Sequence, residues 1–95
     1  MKILDKNKVE LKEINFDLVE VGTTKTLNYF IYNDEDAEIS DIKVSTDSKE
    51  VAIISPKILG PFETDKIDFS WTPSLEVKKG LKTKFTIEAT QIWKP

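Results

Sequence analysis

Toward the C-terminus the chain changes character at every second residue. Leu81, Thr83, Phe85, Ile87, Ala89, Gln91 and Trp93 share one parity, and Lys82, Lys84, Thr86, Glu88, Thr90 and Ile92 share the other. A period of two belongs to a half-buried strand, whose successive side chains leave opposite faces, and it is incompatible with a helix. The same alternation recurs upstream. Ile14, Phe16 and Leu18 alternate with Asn15, Asp17 and Val19; Leu27, Tyr29 and Ile31 with Asn28, Phe30 and Tyr32; Ile67, Phe69 and Trp71 with Asp68, Ser70 and Thr72. Between Ile39 and Ile42 the parity changes, which predicts a bulge or a strand start after Asp41. Val51–Ser55 reads as a short apolar strand stopped by Pro56. Turn signals separate these runs at Gly22, Asn33–Asp36, Thr46–Lys49, Leu59–Glu63 and Pro73.

A chain of 95 residues holds one hydrophobic core. Short strands at this spacing predict an all-β fold, an immunoglobulin-like antiparallel β-sandwich of about seven strands, with an open barrel as the alternative. Leu27, Tyr29, Ile31, Ile67, Phe69, Trp71, Phe85 and Ile87 are expected to share its core. Residues 14–95 form the single domain in this reading. Residues 1–13 are less regular, and Ile3, Val9 and Leu11 fit either an edge strand or an N-terminal arm.

Three spaced motifs carry a resemblance. They are Phe16–Gly22 followed by Thr23-Thr24, then Ile31-Tyr32-Asn33-Asp34-Glu35-Asp36, and Phe69-Ser70-Trp71-Thr72-Pro73 after Leu59-Gly60-Pro61-Phe62. Their order resembles the ASH-like and major-sperm-protein-like immunoglobulin-like domains over Ile14 to Ala89. Gly60-Pro61 departs from that family's Pro-Gly order, and Glu35 or Asp36 stands where its acidic turn has Gly. The resemblance implies an interaction module without catalytic residues, in which Asn33 closes the turn after the second strand.

Composition narrows the chemistry in the same direction. The chain has no Cys and no His, which removes disulfides, thiolate and imidazole metal sites, and the commonest nucleophile–base pairs. A net charge of -3 leaves no basic excess to displace the counterions of a nucleic acid. Gly22, Gly60 and Gly80 lie too far apart for a phosphate-cradling loop. Asp65 and Asp68 fall on opposite strand faces and do not form an acid–base pair. Asp34, Glu35, Asp36, Glu38 and Asp41 form an acidic turn, but an EF-hand loop begun at Asp34 would put Ile39 and Ser45 where Gly and Glu are needed. No catalytic residue, cofactor or metal site is therefore expected. Met1–Lys6 lacks the apolar run of an export signal, and Val51–Ile54 is far shorter than the roughly 20 residues that cross a bilayer. Cytoplasmic synthesis without export is the expectation, with no membrane partner.

A protein partner remains. Phe30 and Tyr32 share the parity opposite the proposed core, Phe62 follows a rigid Gly-Pro pair, and Trp93 lies near the end of the last strand; these four are the candidate contacts, the alternative for Phe30 and Tyr32 being that the N-terminal segment folds over them or a bulge reverses their parity. Residues 34–50 hold seven acids against two lysines, a net charge of -5, and residues 76–95 hold five lysines against two acids, a net charge of +3. Opposite patches suit docking to a partner or to further copies of the chain. The expected function is that of a non-enzymatic structural protein. A virion accessory subunit, a capsid or tail decoration, is the first setting, and a cytoplasmic immunoglobulin-like adaptor binding a protein or peptide the alternative.

Overall fold

The computed structural model describes residues 1–74 and 79–92. Among them lie eight strands and no helix: β1 (Lys2–Leu4), β2 (Glu10–Leu11), β3 (Glu13–Val19), β4 (Lys25–Tyr32), β5 (Glu38–Thr46), β6 (Val51–Ile54), β7 (Thr64–Trp71) and β8 (Lys79–Ile92). Five form one sheet in the order β2-β1-β4-β7-β6, and three form a second in the order β3-β8-β5. All pairings are antiparallel. The two sheets pack face to face as a β-sandwich. Six strands, β3 to β8, lie from Glu13 onward and the N-terminal segment adds two short ones, which makes eight where about seven were expected.

The alternating runs place the core. Tyr29 pairs with Ile67 and Leu27 with Phe69 across the β4–β7 ladder, so both strands turn the same parity inward. Ile31, Ile67, Phe69 and Trp71 are buried, and Leu27, Tyr29, Phe85 and Ile87 pack half-buried against them. Phe16 of β3 meets Trp71 of β7 at a ring-centroid distance of 5.7 Å and a tilt of 54°, joining one sheet to the other. Such a tilted pair contributes about 0.5–1.5 kcal/mol beyond the area it buries. Ile3 is completely buried, paired with Ile31 on one side and Leu11 on the other, so β1 lies inside the sheet and β2 forms its edge.

Two bulges decide which residues face inward. Leu18 was expected to follow Ile14 and Phe16 into the core, yet it is 72% exposed and Val19 is buried in its place. The register slips between Asn15 and Asp17, where Asp17 takes a left-handed φ of 56°. The Asn15 side chain accepts the Asp17 N–H at 2.9 Å, and the Lys25 ammonium donates to the Phe16 carbonyl at 2.9 Å. These side chains occupy backbone groups that an unbroken ladder would pair, and the strand turns over. In β5 the same device sits at Asp41, φ 53°, with a register shift between Ser40 and Lys43. Ile39 and Ile42 are both buried as a result, within one continuous strand.

The second sheet is staggered. β3 pairs with the first half of β8, from Val19↔Lys79 to Glu13↔Lys84, and β5 with the second half, from Thr46↔Phe85 to Glu38↔Ile92.

Candidate protein-contact site

Strand parity turns Phe30 and Tyr32 to the outer face of the five-stranded sheet. The ladders place Leu4 and Lys66 on either side of Phe30, and Lys2 and Thr64 on either side of Tyr32. Both aromatic rings are half-buried. They lie in a recess of about 530 Å³ whose remaining wall is Leu4, Asp5, Lys6, Lys8 and Thr64. Leu4 and the two rings give the recess an apolar surface, and the exposed Lys6 and Lys8 bring positive charge to it.

The β1–β2 turn holds this geometry. Asp5 closes it through four hydrogen bonds. Its N–H donates to the Val9 carbonyl at 3.0 Å and its carbonyl accepts the Lys8 N–H at 2.9 Å. Its carboxylate accepts the N–H groups of Asn7 at 2.8 Å and Val9 at 3.0 Å. Lys8 takes the left-handed conformation that the tight turn demands, φ 64°. The Asp5 carboxylate keeps its charge, and against Lys6 and Lys8 it leaves the lining of the recess with a net charge of +1.

The other candidates lie elsewhere. Phe62 is 56% exposed and does not line the recess. It occupies the third position of a turn in which the Glu63 N–H donates to the Gly60 carbonyl at 3.1 Å. Its φ of 56° is the one that a type II turn requires after Pro61, a position that normally takes Gly. Trp93 lies outside the described residues. Sequence reasoning missed Leu4, Lys6 and Lys8. The Lys6–Lys8 spacing was visible, but only the β1–β4 pairing brings it to the rings.

The acidic turn is organised by its neighbours. The Asn33 side-chain amide is fully buried and donates to the carbonyls of Ala37 and Gly60, each at 2.8 Å, while its oxygen accepts the Glu35 N–H at 3.0 Å. The Asp34 carboxylate pairs with the Met1 ammonium at 3.1 Å. That hydrogen bond, and the charge behind it, hold the Asp34 carboxyl below the usual carboxylate range. Among the described residues no three His, Cys, Asp or Glu side chains gather in an arrangement that could hold a metal ion. No helix among them is long and apolar enough to cross a membrane.

No protein-family model matches the chain, and no curated protein and no solved structure is significantly similar to it. The fold and the recess therefore define its class: an all-β, two-sheet antiparallel sandwich with a lysine-flanked aromatic recess on an outer face.

Proposed function

We propose that this chain is a non-enzymatic interaction module with an immunoglobulin-like sandwich, which docks a protein partner at the Phe30–Tyr32 recess. Strand order supports the immunoglobulin-like reading. β1-β4-β7-β6 follows the A-B-E-D sheet of a constant-type domain and β5-β8 follows C-F, in the same chain order. β2 and β3 are additions to that scheme, and β3 lies where the G strand would be.

The observation that carries the docking reading is the pair of adjacent, half-buried aromatic rings in a recess that bears two lysines. Aromatic side chains bury large rigid areas at small entropic cost and dominate contact energies. The matching partner segment is acidic with apolar side chains. A capsid or tail decoration subunit and a cytoplasmic adaptor would both use such a surface. Co-sedimentation of the chain with assembled particles assigns the first setting, and a soluble complex the second.

The docking reading is tested by titrating isotope-labelled protein with a peptide that alternates glutamate and leucine. The expected amide shifts centre on Leu4, Phe30 and Tyr32. A Lys6→Glu/Lys8→Glu double variant should abolish them at unchanged melting temperature. Shifts centred elsewhere, or equal binding by the variant, would refute the assignment.

A further inference from the structure

The stagger of the second sheet leaves half of β8 bare on one side. β3 covers Lys79–Lys84 and ends at Glu13, while Phe85–Ile92 is paired with β5 on the opposite side alone. Along β3's line, no strand among the described residues takes up the backbone of Phe85–Ile92. An unpaired edge of this kind presents a row of N–H and C=O groups ready for another strand. The inner face beside it is open as well. Ala89 and Gln91 are exposed and Ile87 is half-buried, although they share the inward parity of the buried Thr83.

The opposite sheet bounds this vacancy. Met1, the residue before β1, lines a recess of about 270 Å³ together with Glu35, Ile39, Ile87, Ala89 and Gln91. β2 lies outside β1 in the sheet order and leads through Lys12 directly into β3, so the β1–β2 hairpin is on the bare side. The empty line thus has β8 along one flank and the hairpin across the sandwich from it.

We propose that the bare edge of Phe85–Ile92 is a strand-acceptor slot for one extended segment of a partner protein, apolar at alternate positions and basic at its amino-terminal end. The slot is separate from the Phe30–Tyr32 recess, which lies on the outer face of the other sheet, and it adds a second mode of engagement to the proposed module. The segment runs antiparallel to β8, as every other pair in this chain does, and fills about eight positions in continuation of β3. Its alternate side chains cover Ile87, Ala89 and Met1. Its amino-terminal end lies beside Gln91, where Glu35 lines the same recess. The Met1 ammonium at that end is already paired with Asp34, which leaves Glu35 to attract a lysine or arginine of the segment.

Amide hydrogen exchange followed by NMR tests the slot in two stages. In the free protein, alternate amides within Phe85–Ile92 should exchange roughly a hundredfold faster than the neighbours bonded to β5. A peptide of about eight residues, alternating valine and threonine after an initial lysine, should then slow those amides at least roughly tenfold and shift the signals of Met1, Ile87 and Ala89. The same peptide begun with glutamate should need a several-fold higher concentration. Uniform protection of Phe85–Ile92 without peptide overturns the slot, and so does the absence of any shift there at millimolar peptide. Shifts centred on Phe30 and Tyr32 would transfer the strand segment to the recess, and equal binding of the two peptides would remove the basic end from the proposal.

Discussion

The side-chain amide of Asn33 donates to the main-chain carbonyl of Gly60 at 2.8 Å, tying the acidic turn after β4 to the Gly-Pro loop before β7. A second hydrogen bond of the same length, to the Ala37 carbonyl, closes the turn on itself. One completely buried side chain therefore holds the two loops that flank the Glu35 end of the sandwich.

Asn33→Ala removes these donors and leaves the Ala37 carbonyl without its partner, while the Gly60 carbonyl keeps the Glu63 N–H. The expected loss is about 1–3 kcal/mol in urea unfolding, the cost of one buried unsatisfied group. Asn33→Asp should be at least as damaging, because it turns a carboxylate toward those carbonyls. A loss below about 0.5 kcal/mol for Asn33→Ala would show that water replaces the amide.

Phe62 holds a left-handed conformation with a ring that is more than half exposed, a combination that costs backbone strain and returns little packing. Such a residue outside glycine carries about 1–3 kcal/mol of strain. Phe62→Gly should raise the melting temperature, with a net gain of about 1 kcal/mol after the larger chain entropy of glycine is subtracted. A lowered melting temperature would mean that the ring packs against the loop.

Trp71 is 1% exposed, and its indole nitrogen meets no hydrogen-bond acceptor among the described residues. Its role is thus to fill volume between the sheets and against Phe16. Trp71→Ala should cost about 3–5 kcal/mol, while Trp71→Phe, which loses no hydrogen bond, should cost much less. Equal losses from the two substitutions, measured by chemical denaturation, would assign the indole N–H a bonding role.

The Asp34–Met1 pair makes a pH prediction whose sign follows from the depressed Asp34 carboxyl. A carboxyl with a folded-state pKa below its unfolded value contributes stability above the unfolded pKa and loses that contribution as pH falls through the folded one. The melting temperature should therefore fall less steeply below about pH 4 in Asp34→Asn than in the parent chain. Acetylation of the Met1 amine should have the same effect. Parallel pH profiles for parent and variant would show that the pair does not contribute.

The parts of this molecule that were legible in advance are those that depend on succession alone. Ile67, Phe69 and Trp71 could be assigned to the core, and Phe30 and Tyr32 to the opposite face, because neighbouring side chains of a strand must leave opposite faces. The change of parity between Ile39 and Ile42 likewise announced either a bulge or a strand start after Asp41, and the structure has a bulge within one continuous strand. Leu18 was misread because its bulge depends on a lysine from the next strand, Lys25, reaching the Phe16 carbonyl. Ile3 was ambiguous, since three apolar positions within residues 1–13 are too few to define a period.

Tertiary structure alone decided the strand order, the placing of Lys6 and Lys8 beside the aromatic rings, and which half of β8 stays bare. Each depends on a pairing between segments far apart in the chain, β1 with β4, and β3 or β5 with β8. Alternation determines which face a side chain joins because it is a property of consecutive residues. Which strand lies beside which is set by the burial of all the faces together, and a single stretch of sequence does not contain that information.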